Sequence, residues 1–250
     1  MPIRTNTAAQ LGIPKLFHYQ PFEEEKDRMR LQDVLVNRRV YCSDPEEFND
    51  PWDCKPFFNP EFLGMSPIVE STIREWHDRN LDNRLGQLLQ TDAEFRNTVY
   101  SSISSNITKA VFRNRFRLYC LSPKSNQQLM WSDYAKCHRG ICLQFSVKDS
   151  VFGYSMKVDY QQRYPTFNID DKNDRVNCLL VKSHEWDYEE EYRLVCPCFE
   201  TSQPNPMQLA EGKFCPIGDS LKSIIVGCQG DYENVKSFVG KHAPHCQFTG

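Results

Sequence analysis

No apolar run in this sequence approaches the ~20 residues that span a bilayer, which excludes a helical membrane protein and leaves no membrane partner to expect. Neither a P-loop nor a G-x-G-x-x-G stretch is present, so the two common glycine-rich phosphate cradles are missing. Positive charge is not in excess. The formal net charge is −3, so there is no overall basic field, and a nucleic acid would have to be held by a local patch. Internal repeats and low-complexity tracts are absent. The opening stretch, MPIRTNTAAQLGIPK, has no signal-peptide apolar region. The cytoplasm is therefore the expected compartment.

Cysteine, by contrast, is plentiful: eleven residues, an odd number. Cys120, Cys142, Cys178 and Cys228 lie in or beside apolar runs, where cysteine behaves as a small hydrophobe. Without a secretory signal the expectation is reduced thiols. Cys137 and Cys142 are separated by four residues and Cys196 and Cys198 by one. There is no second clean C-x₂₋₄-C pair, so no structural zinc and no metal cofactor is expected. With 250 residues, 40% hydrophobic and 25% charged, the chain can bury a substantial core in a single domain over 1–250.

The pattern along the chain predicts an α+β fold: a central, mostly antiparallel sheet with flanking helices. Strands are expected at 16–19, 39–42, 116–121, 141–147, 154–160, 192–198 and 221–226, with a short one at 246–248. Helices are expected at 23–37, 171–182 and 231–241. Residues 68–112 have helical periodicity and little β signal, and read as a helical insertion or cap. The segment 120–145 organises the rest. It leaves a strand, breaks at Ser122-Pro123, carries Met130, Trp131 and Tyr134 on one helical face, turns at Arg139-Gly140 and enters a second strand. An aromatic helix packed on a sheet accounts for this, and so does the wall of a pocket.

Glu189-Glu190-Glu191-Tyr192-Arg193 is the sharpest candidate for chemistry. If the segment is extended, Glu189, Glu191 and Arg193 project to one face. Two carboxylates there repel unless a cation or ligand relieves them, so replacing Glu191 by Gln is expected to spare the fold. A solvated acidic loop is the plainer reading. Asp44, Asn49, Asp50 and Asp53 form a second cluster. With Glu189, Glu191 and Lys182 they could make a Mg²⁺-dependent phosphodiesterase or nuclease site, although Asn49-Asp50-Pro51 is also an ordinary turn. Arg113, Arg115 and Arg117 alternate into the 116–121 strand and are the candidate patch for phosphate or nucleic acid; a charged strand edge explains them equally.

Four ordered blocks resemble the DUF2971 family of bacterial proteins. They are Leu16-Phe17-His18-Tyr19; Tyr41-Cys42-Ser43-Asp44-Pro45 with Phe48-Asn49-Asp50-Pro51-Trp52-Asp53; Cys120-Leu121-Ser122 with Met130-Trp131, Tyr134-Ala135, His138 and Gly140; and Lys182 with Trp186-Asp187-Tyr188-Glu189-Glu190-Glu191-Tyr192-Arg193. The resemblance implies a setting in bacterial conflict or phage defence and states no activity. The order of candidates also resembles the layout of ADP-ribosyltransferases: His18-Tyr19 on a first strand, Ser43 or Trp131/Tyr134 in the middle, Glu-x-Glu at a late strand. That layout implies an NAD- or nucleotide-utilising transferase, with NAD as substrate and a macromolecular acceptor that the sequence does not name. Glu191 would be the catalytic carboxylate and Glu189 its partner. His18, Tyr19, Trp131 and Tyr134 would line the nucleotide pocket, and Arg193 and His138 would orient groups. The chemistry suits such residues. A carboxylate can stabilise an oxocarbenium-like ribose, and an aromatic wall can stack nicotinamide or adenine. A binding module without catalysis would use the same motifs.

Overall fold

The computed structural model describes residues 6–48, 50, 52–55, 57–58, 66–67, 71, 74–75, 87–88, 91–108, 115–163, 166–168, 170–200, 204–244 and 246–249. Its class is α+β with mainly antiparallel pairing, as the apolar runs and turn residues imply. The pairing is divided between two principal sheets. In the first, β1 (Lys15–Gln20), β5 (Ile141–Ser146), β12 (Leu221–Val226) and β13 (Gln247–Thr249) lie in that order, with only the last pair parallel. In the second, β10 (Tyr192–Pro197) runs antiparallel between β4 (Phe116–Leu121) and the short β6 (Met156–Lys157). Two-stranded pairs complete the pattern: β2 (Arg39–Tyr41) with β11 (Phe214–Pro216), β3 (Phe57–Phe58) with β8 (Thr166–Phe167), and β7 (Asp159–Gln161) with β9 (Val181–Ser183).

Among the described residues a single bridge joins the two main sheets. Phe17 and Ser122 exchange backbone hydrogen bonds of 2.7 and 2.8 Å, so the free edge of β1 meets the end of β4. Three apolar clusters surround this seam. The main core gathers Leu16, Leu143, Phe145, Phe152, Leu194 and Ile224. A second holds Leu118, Leu179, Leu180, Val181 and Val195, with Tyr100 of α2 (Ala93–Thr108) packed against it. A third joins Phe17, Tyr19, Met130, Trp131, Ala135 and Cys142, with Tyr134 and Tyr188 against them. All six residues of β10 are buried, as in a strand covered on both faces. A buried charge on it, Arg193, therefore has to be paired from within.

Helices form where their ends are satisfied. α1 (Glu25–Gln32) opens with a reciprocal box in which the Asp27 carboxylate accepts from the N–H of Glu24 at 2.9 Å. It passes into a π-helical turn, Asp33–Asn37, and stops at Arg38, whose φ is 49°. α5 (Tyr232–His242) is capped by Asp231, whose side chain accepts from the N–H of Asn234 at 3.1 Å. Between β4 and β5, α3 (Gln128–Asp133) is followed by Lys136, Cys137 and His138 in left-handed conformation, with φ of 53°, 52° and 66°. Gly140 closes that turn, and a Cβ on it would lie 2.3 Å from the carbonyl oxygen of Gln20. The close approach pins the aromatic helix to β1.

Three expectations are corrected. The strand expected at 154–160 is a 3₁₀ turn, Val151–Tyr154, followed by β6 and β7. The helix expected at 171–182 stops early: α4 (Lys172–Asn177) gives way to the 3₁₀ turn Cys178–Leu180, and Lys182 sits on β9. The segment around Glu189 is not extended, because residues His184–Glu189 form 3₁₀ turns and Glu190 is left-handed, with φ of 47°. Of the expected 68–112 insertion, residues 93–108 form α2, positions 71, 74, 75, 87, 88 and 91 are helical, and most of the remainder lies outside the described residues.

All eleven cysteines are thiols rather than disulfides. Cys42 and Cys196 approach to 3.8 Å between sulfurs, well beyond the roughly 2.05 Å of a bond. A thiol-reactive dye should label exposed Cys137 and Cys228 first and reach Cys142, Cys178 and Cys196 only on unfolding. In denaturant without reductant all eleven should titrate, and a lower count would mean disulfides. Among the described residues no group of three or more His, Cys, Asp or Glu side chains is arranged to hold a metal ion. Among them, too, no helix is long and apolar enough to cross a membrane.

Candidate functional site

Where β1 meets β4, a cavity of about 100 Å³ opens. Its walls are Phe17, His18, Tyr19, Phe48, Leu121 and Met130, and its floor is polar: Asp53, Cys120, Tyr134, Lys182, Glu189 and Glu191. The side chains arrive on several elements. β1 supplies the first three aromatic or imidazole groups, α3 and the turn after it supply Met130 and Tyr134, and β9 supplies Lys182. The left-handed Glu190 reverses the chain so that both flanking glutamates face inward. Alternation along an extended strand is thus not what unites Glu189 and Glu191; a turn does it.

The floor is a buried network built on Arg193, which is fully buried. Its Nε and Nη2 donate to the two oxygens of Glu191, both at 2.8 Å. Nη1 and Nη2 donate to the two oxygens of Asp53 at 2.7 and 2.6 Å. The remaining hydrogen on Nη1 goes to the carbonyl of Leu179 at 2.8 Å. All five guanidinium N–H groups are thereby used, in two planar forks that only arginine can form. Lys182 Nζ donates to Glu189 at 2.7 Å and stands 3.6 Å from Glu191 and 3.7 Å from Asp53. Its charge also lies over the ring of Trp186, at 4.8 Å.

These contacts separate the two glutamates. Burial works against the charge on Glu191, but Arg193 and Lys182 outweigh it and hold its pKa at about 2. Glu189 lacks a guanidinium. Burial first, and the Glu191 charge second, push it up to about 7, against the opposing pull of Lys182 and the Tyr134 hydrogen bond. Tyr134 donates its hydroxyl to the other oxygen of Glu189 at 2.5 Å, and burial followed by that carboxylate raises the Tyr134 pKa. Burial works against the Lys182 charge too, and the carboxylates of Glu191, Glu189 and Asp53 outweigh it and raise its pKa. His18 is neutral: burial lowers its pKa to about 4. Its Nδ1 carries the hydrogen, since its partner at 2.8 Å is the carbonyl of Cys120, which can only accept.

Of the residues expected from the sequence, His18, Tyr19, Tyr134, Glu189 and Glu191 converge on this one cavity. Trp131, His138 and Arg193 do not line it. Trp131 stands one layer back, edge-on to Tyr19 with centroids 5.1 Å apart, its indole N–H given to the carbonyl of Ser125. His138 stacks on Trp131 with ring centroids 6.3 Å apart. Arg193 lies beneath the floor. The expectation that replacing Glu191 spares the fold is corrected, since both its oxygens hold a buried guanidinium.

The acidic cluster read from residues 44–53 comes apart. Asp44 caps the turn Pro45–Glu47 and pairs with Arg117 at 2.5 Å. Asp50 accepts from the N–H of Trp52 at 2.9 Å. Only Asp53 enters the site, and Asn49 lies outside the described residues. Of the candidate arginine patch, Arg115 lies over the ring of Phe199 at 6.0 Å, Arg117 pairs with Asp44, and Arg113 is outside the described residues. Sequence reasoning gave Phe17, Phe48 and Tyr160 no role. Tyr160 accepts from the N–H of Glu191 at 2.8 Å through its hydroxyl, and no local pattern announces that contact.

No protein-family model, curated protein or solved structure matches this chain significantly.

Proposed function

We propose that this chain is an NAD- or nucleotide-utilising enzyme that cleaves an N-glycosidic bond, with Glu189, not Glu191, as the reacting carboxylate. The observation that supports this most is the position of Glu189. It faces an aromatic-walled cavity, is positioned by Tyr134 and Lys182, and has a pKa of about 7, which suits general acid–base work near neutrality. Glu191 is bound up in holding Arg193 and serves as a positioning residue.

In the reaction, the bond between ribose C1 and the nicotinamide nitrogen breaks, and its electron pair neutralises the pyridinium. The Glu189 carboxylate stabilises the positive charge growing on the ribose. The acceptor's lone pair forms the new bond to C1, and its proton passes to Glu189. Phe17, Tyr19 and Phe48 supply ring faces for stacking. The same proposal includes membership of DUF2971, a setting in bacterial conflict or phage defence, and the cytoplasm, whose reducing conditions suit a core containing fully buried thiols. The metal-dependent phosphodiesterase is disfavoured by the donors themselves: Arg193 engages both oxygens of Asp53 and of Glu191.

Melting with and without NAD tests the proposal directly. At about a hundred times its dissociation constant NAD should add ~2.7 kcal/mol of stability, and nicotinamide should be released in the presence of a suitable acceptor. An unaltered melting curve at millimolar NAD together with no nicotinamide release would leave a non-catalytic binding module. A shift seen only with Mg²⁺ or Mn²⁺ would restore the phosphodiesterase.

A further inference from the structure

We infer that the group the cavity takes is a compact cation, a positively charged ring of pyridinium size, and that the Glu189 carboxylate is its counter-ion. This rests on the reading above that the cavity is the substrate site. A charge inventory of its floor carries the argument. Asp53, Glu189 and Glu191 bring three negative charges when ionised; Lys182 and Arg193 bring two positive ones. Asp53 and Glu191 share Arg193, and Lys182 is drawn by all three carboxylates. One negative charge is left over on the floor, and Glu189, held by Lys182 at 2.7 Å and by the Tyr134 hydroxyl at 2.5 Å but by no guanidinium, is the carboxylate at which it is neutralised. The other titratable groups around the site supply no compensation. His18 on β1 is neutral, and burial keeps Tyr19, Tyr134, Tyr160, Tyr188 and Cys120 protonated.

A buried, uncompensated charge is expensive, and the floor therefore takes up either a proton or a ligand cation. An anion would meet a net negative floor, because the hydrogens of Arg193 are all in use. The walls agree with the floor. Phe17, Tyr19, Phe48 and Tyr134 present π-systems, which attract a cation, and Met130 adds a polarisable sulfur. Size sets the remaining limit. An engineered apolar cavity of roughly 150 Å³ accommodates benzene. An open one of about 100 Å³ takes a single ring seated partly in its mouth, and the rest of a dinucleotide would lie outside it. Entry of the cation displaces the proton of Glu189, so binding of the cation releases a proton below neutrality.

The test is calorimetric titration of the full chain with two probes, cationic N-methylnicotinamide and neutral nicotinamide, at pH 6 and pH 8. The cation should bind at least about tenfold more tightly than the neutral ring at pH 8, and the preference should shrink several-fold at pH 6 as Glu189 takes up its proton. Glu189→Gln should bind the two probes equally while still binding nicotinamide, which also verifies its fold. Equal binding in the unaltered chain, a preference that survives in E189Q, or binding of neither probe would each overturn the inference. NAD cleavage is read separately. Cleavage that depends on Glu189 without any preference for the cation leaves the glycosyl-transfer reading standing and removes this inference. A preference for the cation without cleavage does the reverse.

Discussion

Arg193→Met should lose at least ~3–5 kcal/mol at neutral pH, the usual penalty for removing one partner of a buried ion pair. Here one removal strands two carboxylates, Asp53 and Glu191, whose side chains are 2% and 3% exposed. Met fills a similar volume, so the loss reads out charge and hydrogen bonding and not a cavity. Since a domain typically has about 5–15 kcal/mol in total, the variant should be marginal at 25 °C. Its pH dependence should also reverse. In the unaltered chain Glu191 has a pKa of about 2, below its ordinary 4.5, so its contribution is present above pH 4.5 and lost as pH falls through 2. Without Arg193 burial dominates, the pKa moves above 4.5, and stability is greatest in acid. Urea denaturation at pH 3 and pH 5 reads the reversal, and the comparison with the parent at pH 8 reads the loss. Arg193→Lys should recover only part of the loss, because an ammonium has three donors and no fork. Equal stability of R193M and the parent at pH 8 would mean that the buried forks do not form.

Glu189→Gln should act in the opposite sense on stability and slow the chemistry severely. Glu189 has a pKa of about 7 against an ordinary 4.5. Its contribution is therefore fully present below pH 4.5 and lost as pH rises through 7. Above neutrality the ionised carboxylate destabilises the fold by ~3 kcal/mol at most. Gln removes that charge and leaves a balanced floor of two carboxylates and two cations. E189Q should thus melt higher than the parent at pH 8 and equal it near pH 4, with the slope between flattened. For the reaction, the loss of one preorganised electrostatic partner should lower the rate of nicotinamide release by about 10²–10³. The parent's rate should climb as pH rises through about 7, and the variant's residual rate should be flat. Full activity in E189Q would remove Glu189 from the mechanism, whatever its stability did.

The local signals in the sequence were sufficient for the frame. The apolar runs that became β4, β5 and β12, the capped helices α1 and α5 and the turn at Gly140 are properties of neighbouring residues. Chain-local patterns of apolar spacing and turn chemistry report such properties directly. The aromatic segment around Tyr134 and the dense carboxylates before Arg193 are legible in the same way, although turns and not helix or strand periodicity set where Tyr134, Glu189 and Glu191 point. The π turn after α1, the placement of Lys182 on β9 and the left-handed Glu190 followed from packing that local spacing does not encode. The roles of the two glutamates were a tertiary matter throughout. Glu189 and Glu191 are two residues apart and chemically identical. What distinguishes them is that Arg193 forks onto one, with Asp53 brought from 140 residues away, while Tyr134 and Lys182 meet the other. Which of two equal carboxylates keeps its charge is decided by distance to a buried cation, and that distance exists only once β1, β4, β9 and β10 have come together.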